Sequence, residues 1–301
     1  MEISVIVPTY NRNQQILNLL NSLERQSYQK FEVILVNDGS TDDTLNILHN
    51  YKRDTALKLK IIDSDNKGRS GSRNLGVKHA AGDLLIFLDD DVRANEKCLE
   101  LHLSFHMNYE NAILGGPYLY DTAKFTHDFS FFRKHMEDQW YPREKGFLES
   151  ASLRINGGNF SVIRNLFWKV DGFDERLTDK EDFILSYQLN RHLQTQVYFS
   201  NDVWVYHDDF RGLKDYIRRG VESRRVELKL PIFYKKIKLD STRFFSKLMF
   251  PKSLFFRLFR TDSMLTFCDS SRVFLLLPRW MRYKLYDFII TANIAYGGFD
   301  K

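Results

Sequence analysis

Three consecutive carboxylates, Asp89, Asp90 and Asp91, follow directly on the apolar run Leu84–Leu88. Adjacent carboxylates repel one another, so burying part of this cluster calls for a cation. Oxygen ligands favour a hard divalent ion, Mg²⁺ or Mn²⁺. A solvated acidic turn after a core strand is the other reading of the run by itself. Two further groups of titratable residues stand later in the chain, Glu181-Asp182 and His207-Asp208-Asp209. The first opens a segment with Phe183, Leu185 and Leu189 at helical spacing, where acidic residues also suit the helix dipole.

The elements that must position these groups read as alternating strands and helices. Leu84–Leu88 has no polar alternation, as in a strand covered on both faces, and the aspartates then lie at its carboxyl end, where open α/β sheets bind ligands. Ahead of it, residues 3–8 are a short apolar strand, and Ile16, Leu19, Leu20 and Leu23 recur at helical spacing within residues 13–26. Residues 31–36 form a second strand, ending in Asn37-Asp38-Gly39-Ser40. Ser40 and Asp43 resemble an N-cap for a helix running to about Tyr51. Residues 59–62 form a third strand, followed by a helix over about 70–80. This alternation predicts a parallel, doubly wound sheet. Later, residues 164–170 read as a short helix, and residues 197–199 and 203–206 as strands, with His207 just beyond the second.

Several classes are excluded or disfavoured. The first strand–helix turn, Pro8-Thr9-Tyr10-Asn11, has none of the glycines of a dinucleotide fingerprint, and no Walker-type phosphate loop occurs. Phosphates then need another holder, and a metal on the aspartates supplies one. At 43% hydrophobic and 28% charged, the 301 residues are globular in composition. No apolar run reaches the length of a membrane span. The N-terminus lacks a basic leader, and Cys98 and Cys268 are too few for a disulfide framework, so a cytoplasmic setting is expected.

The ordered motifs carry a resemblance. Val5-Ile-Val-Pro-Thr-Tyr-Asn-Arg12, Val36-Asn-Asp-Gly-Ser-Thr-Asp-Asp43, Asn66-Lys-Gly-Arg-Ser-Gly-Ser-Arg-Asn74, Phe87-Leu-Asp-Asp-Asp-Val92, Gly157-Gly-Asn-Phe-Ser161, Asp171-Gly-Phe-Asp174 and Glu181-Asp182 together span roughly residues 3–208. In this order they resemble a family 2 glycosyltransferase of the GT-A fold, an α/β, Rossmann-like, mostly parallel sheet flanked by helices. The resemblance implies metal-dependent, inverting transfer from a nucleotide sugar, with UDP the expected nucleotide. Pro8, Thr9, Tyr10 and Arg12 would line the nucleotide pocket, Tyr10 facing the base. Asp38 would accept from the imide of a uracil-like base. Arg73 would approach the base or diphosphate, and Asp89 and Asp90 the ribose or sugar. Asp91 and His207 would ligate Mn²⁺ or Mg²⁺. Gly158 and Asn159 would contact sugar or acceptor, in an acceptor side formed by residues 145–164. Asp182 would take the acceptor proton, with Glu181 as its substitute.

Charge divides the chain. Residues 211–301 hold 20 Lys+Arg against 8 Asp+Glu, a surplus of about +12, whereas the remainder is about −7. The division expected is a catalytic domain over 1–210 and a basic, mainly helical region over 211–301. In the latter, Leu213, Tyr216 and Ile217 share a helical face near Arg218, Arg219, Arg224 and Arg225. Phe244, Phe245, Leu248, Met249 and Phe250 follow, then Leu254 to Phe259 and the Arg279-to-Lys284 cluster. Such a region can lie on an anionic membrane surface, at the inner face of the cell membrane, pack on the catalytic domain, or form a homodimer interface. No nucleic-acid module is present. The acceptor is expected to be a glycan or a lipid-linked group, by family analogy in the assembly of bacterial cell-surface polysaccharide. A sugar nucleotidyltransferase and a non-catalytic nucleotide-sugar-binding assembly protein are the competing readings.

Overall fold

A computed structural model describes residues 1–149, 155–234, 256 and 258–297. The chain divides into two compact units, residues 1–121 with 141–209, and residues 122–140 with 210–301. In the first, Ile3–Thr9 (β1), Phe31–Asp38 (β2), Lys58–Ser64 (β3) and Leu84–Leu88 (β4) form the parallel half of an eight-stranded sheet. Every residue of β1, β2 and β4 is buried, which explains their largely apolar runs, and the two polar interruptions pair with each other, Ser4 Oγ donating to Glu32 Oε1 at 2.6 Å. The helices Asn13–Glu24 (α1), Thr44–Asp54 (α2) and Gly68–Lys78 (α3) are the crossovers.

Residues of β1 alternate between two apolar layers. Val5 and Val7 pack with Ile16, Leu19 and Leu20 of α1. Ile6 belongs to the opposite layer, with Val77 of α3. Helix α3 lies unusually close to the sheet at Gly76, where a Cβ would meet Ile6 Cγ2 at 2.7 Å.

The rest of the sheet departs from a purely parallel plan. Val92–Ala94 (β5) leaves the main sheet, and Cys98–His106 (α4) leads to Ala112–Gly115 (β6). After Tyr118–Leu119 (β7) and Gly146–Phe147 (β8), Asn159–Ile163 (β9) enters between β4 and β6, antiparallel to both. No strand is expected from the sequence over residues 159–163, so both β9 and its reversed direction come from the structure. Arg164–Trp168 (α6) and Glu181–Leu193 (α7) lead to Gln196–Phe199 (β10), which is parallel to β6. Val205–His207 (β11) joins β5 and β7 in a separate small sheet. His207 is therefore within a strand, not beyond one.

Two local expectations are corrected. Ser40 and Asp43 do not cap α2 with their side chains. Ser40 Oγ accepts from Asn11 N at 3.0 Å, and Asp42 Oδ1 accepts from Thr44 N instead. On α7 the buried apolar residues are Ile184, Leu185 and Leu189, while Phe183 is half-buried.

The second unit has its own core. Phe129 and Phe132 of Asp128–Glu137 (α5) pack with Leu213 and Ile217 of Leu213–Phe233 (α8) and with Phe274, Tyr286 and Ile289. Arg224, one of the cations clustered on this helix, is largely enclosed and pairs with Glu227 at 3.0 Å. Phe244, Phe245, Leu248, Met249, Phe250, Leu254 and Phe255 lie outside the described residues. No helix among the described residues is long and apolar enough to cross a membrane.

Candidate functional site

The registers of β1, β2 and β4 bring Thr9, Asp38 and the triple aspartate to one end of the sheet. Thr9 lies opposite Asn37, and Asp89 N donates to Gly158 O just past the β4–β9 ladder. Pro8 and Thr9 are buried, while Tyr10 is 45% exposed and available as an aromatic surface. Asp38 is buried, and its Oδ1 accepts from Lys67 N at 2.6 Å, which fixes the carboxylate against the start of α3. Arg12 approaches Asp90 at 3.7 Å and Asp91 at 3.6 Å. Burial, and next the neighbouring Asp91 charge, push the Asp90 carboxyl up to about 8.

Arg73 is enclosed at 1% exposure and joins two parts of the site that are far apart in sequence. Its Nη2 donates to Asp89 Oδ1 and its Nη1 to Glu181 Oε1, both at 2.7 Å. Expected to reach the base or diphosphate, Arg73 instead holds two carboxylates. Burial opposes ionisation of Asp89, but Arg73, Arg69 and His207 together outweigh it and keep the carboxyl below its ordinary range. Glu181 is likewise held down against burial, by Arg69 and Arg73.

Asp182 differs from its neighbour. Its Oδ2 accepts from Gly157 N at 2.9 Å and its Oδ1 from Phe183 N at 2.7 Å. Burial, and then the Glu181 charge, raise its pKa to about 6. A carboxylate near that value is a better proton acceptor than an ordinary aspartate and still ionised at neutral pH.

The Gly157-Gly158 turn connects these carboxylates. A Cβ on Gly158 would fall 2.1 Å from Asp89 Cγ, so only glycine permits this approach. Tyr118, which sequence reasoning missed, completes the connection. Its hydroxyl donates to Asp89 Oδ2 at 3.1 Å and accepts from Gly158 N at 3.0 Å. Its ring lies 4.5 Å from that of His207. Asn159, expected to contact sugar or acceptor, is fully buried, with Nδ2 donating to Val203 O at 2.8 Å. Its amide joins backbone segments.

Asp91, His207 and Asp209 are all buried and bring one ligand atom each within 4.8 Å of one another. His207 Nε2 is 3.4 Å from Asp91 Oδ1 and 4.0 Å from Asp209 Oδ2. Two carboxylates and an imidazole suit Mn²⁺ or Mg²⁺, so the donor set fits the expected ion. Asp209 was not anticipated. Its signal was its spacing of two from His207, which in extended backbone places both on one side. The intervening Asp208 binds Arg93, whose Nε donates to Oδ2 at 2.7 Å.

Comparison with known proteins gives these contacts a family context. A family model described as glycosyl transferase family 2 matches residues 4–171. The poly(ribitol-phosphate) beta-N-acetylglucosaminyltransferase TarS of Staphylococcus aureus is 38% identical over 116 residues, which are 38% of this chain and 20% of TarS. The chain thus aligns with about a fifth of that relative's length. A crystal structure of S. aureus TarS 1–349 with UDP-GlcNAc matches at TM-score 0.56 and 21% identity, covering 100% of this chain and 93% of that one. The mannosyltransferase PcManGT from Pyrobaculum calidifontis, in complex with GDP-Man and Mn²⁺, matches at TM-score 0.64 and 14% identity, covering 99% and 88%. Both structural likenesses establish the GT-A fold.

Proposed function

The chain belongs to glycosyl transferase family 2, and on that premise we propose that it moves a sugar from a UDP-sugar to an acceptor hydroxyl with inversion. The observation that carries this reading is the buried Arg73, which sets Asp89 beside the turn that holds Asp182. It brings a carboxylate for the donor sugar and a base for the acceptor into one polar network. The UDP-GlcNAc of the TarS structure makes that nucleotide sugar the first donor to test.

In this reading Asp38 accepts from the base imide and Tyr10 covers one face of the base. Asp89, kept ionised by Arg73, accepts from hydroxyls of the ribose or sugar. Asp91, His207 and Asp209 would hold Mn²⁺ or Mg²⁺, which would supply charge neutralisation for the leaving diphosphate. Asp182 takes the proton of the acceptor hydroxyl as it attacks from the face opposite the leaving group. Tyr118 keeps Asp89 and the His207 ring in register. The acceptor is a hydroxyl of a glycan or a polyol phosphate, the latter suggested by the name of TarS. Residues 1–210 supply the chemistry, and the basic region 211–301 meets an anionic partner.

Nucleotide sugars mixed with the protein and Mn²⁺ test the proposal. A UDP-sugar should raise the melting temperature by mass action, and acceptor should release UDP. Asp91→Ala should remove the Mn²⁺-dependent part of the thermal shift and leave the melting temperature of the free protein nearly unchanged. Undiminished UDP release with EDTA present and in Asp91→Ala would refute the metal-dependent mechanism.

A further inference from the structure

In the second unit, the segment after the helix Asp262–Ser270 presents apolar side chains to solvent. Val273 is 63% exposed, Leu275 53%, Leu276 82% and Trp280 70%. Phe274, between them, is fully buried, with its ring 5.1 Å from Tyr286 and 5.7 Å from Phe267. That one inward side chain anchors the short helix Arg272–Leu275 and turns its neighbours outward. The exposure is therefore imposed by packing. An apolar cluster held in water by a rigid anchor marks a surface that meets something apolar.

The charges around it identify the partner. Between Asp269 and Asp287 the chain has Arg272, Arg279, Arg282 and Lys284 and no acidic residue. Arg282 is engaged with Asp128. Arg272, Arg279 and Lys284 are exposed, the Arg279 guanidinium lying 4.8 Å from the Tyr283 ring centroid. Aliphatic tips flanked by cations, with a tryptophan beside them, match the boundary between lipid headgroups and acyl chains. A protein partner would be expected to return acidic or polar complements. A bilayer needs only anionic phosphates around an apolar interior.

We propose that residues 272–284 dock this unit on an anionic lipid bilayer. Leu275, Leu276 and Trp280 enter the headgroup–acyl boundary, and Arg272, Arg279 and Lys284 meet lipid phosphates. Attachment is shallow and reversible, because a few apolar tips provide far less buried area than a spanning helix. The location of the acceptor that this implies rests on the glycosyl-transfer reading, whereas the docking itself does not.

Cosedimentation of the full chain with vesicles tests the proposal, using phosphatidylcholine alone and phosphatidylcholine mixed with phosphatidylglycerol. Binding is expected only with the anionic lipid and should weaken in high salt. Leu276→Asp and Trp280→Ser should each lower the partition coefficient by about tenfold, the effect of removing one well-buried apolar side chain. Both positions are on the surface, so melting temperature and UDP-sugar binding without vesicles should stay unchanged. Acyl-chain-brominated lipid should quench wild-type tryptophan fluorescence more than that of Trp280→Phe. No binding to anionic vesicles, or equal binding by wild type and both variants, overturns the proposal. A dimer in sedimentation velocity that Leu276→Asp disperses would overturn it in favour of a second copy of this chain. Solution UDP-sugar binding is a separate measurement, so docking and glycosyl transfer can fail independently.

Discussion

Two groups of buried polar side chains are built on neighbouring parts of β4 and β9, and they solve the problem of burial in opposite ways. At the carboxyl end of β4, Asp89, Arg73, Glu181 and Asp182 keep their charges, compensated by two 2.7 Å ion pairs and backbone N–H groups. In the middle of β9, Ser161 Oγ meets His102 Nδ1 at 2.7 Å and His106 Nε2 at 2.8 Å, joining α4 to the sheet. Burial, with the adjacent His106 as the next cause, lowers the His102 pKa to about 3, and burial lowers that of His106 to about 4. That group is neutral, and one hydroxyl can donate to one ring and accept from the other. The charged group is part-exposed at Asp89 and Asp182, whereas Ser161, His102 and His106 are fully enclosed. The first splits the pKa values of adjacent carboxyls, Glu181 down and Asp182 up, and so leaves one able to take a proton. The second only joins elements.

The largest effect should separate the groups by function. Asp182→Asn should lower turnover by about 10²–10⁴-fold, the usual contribution of a general base. Donor affinity should hardly change, because the role belongs to the transition state. In the unmodified protein, turnover should rise through about pH 6 as Asp182 loses its proton, and this limb should vanish in the variant. Near-normal turnover in Asp182→Asn would transfer the role to another group. A comparable loss in a folded Ser161→Ala would erase the distinction between the two groups.

A smaller effect tests charge compensation. Arg73→Met leaves the buried Glu181 and the part-buried Asp89 with only the Arg69 charge to compensate them, and should cost about 3 kcal/mol at neutral pH, read from urea denaturation. Both carboxyls have folded pKa values below their unfolded ones, so their contribution is present above the ordinary carboxylate range and lost as pH falls. The deficit of the variant should therefore shrink on acidification. An equal deficit at acid and neutral pH would mean that Arg73 contributes packing alone.

The histidine group should give the mildest effect and the opposite assignment. Its folded pKa values lie below the unfolded value of about 6.5, so the unfolded chain binds protons first as pH falls. Stability should decline from about pH 6.5 toward pH 4 and 3, without loss of turnover above that window. Ser161→Ala should cost about 1–3 kcal/mol by leaving the imidazoles unpaired. Urea midpoints measured against pH check both statements.

Much of this was legible in the residues. The unbroken apolar run of β4, and the largely apolar ones of β1 and β2, announced a sheet covered on both faces. Asp89, Asp91, Glu181, Asp182 and His207 were all nameable, because their chemistry is local. Strand β9 was not legible at all, since Asn159 and Ser161 break its short apolar stretch and its partners β4 and β6 are distant in sequence. Asp209 was hidden for a different reason. In His207-Asp208-Asp209 the spacing of two offered a signal, but only the backbone just past β11 decides which aspartate turns to the histidine and which to Arg93.

By itself the sequence determined which segments must be buried, where carboxylates follow a strand, and that the last third is basic. These depend on residue type and on spacing within one element. Only the tertiary structure decided what those residues meet. Arg73 and Glu181 are 108 positions apart and touch because strand order and the α7 entry bring them together. Gly158 is required because Asp89 fills the space of its missing side chain. Val273, Leu275 and Leu276 face solvent because Phe274 claims the core. Each is a competition for the same volume between residues distant in sequence, and packing alone resolves it.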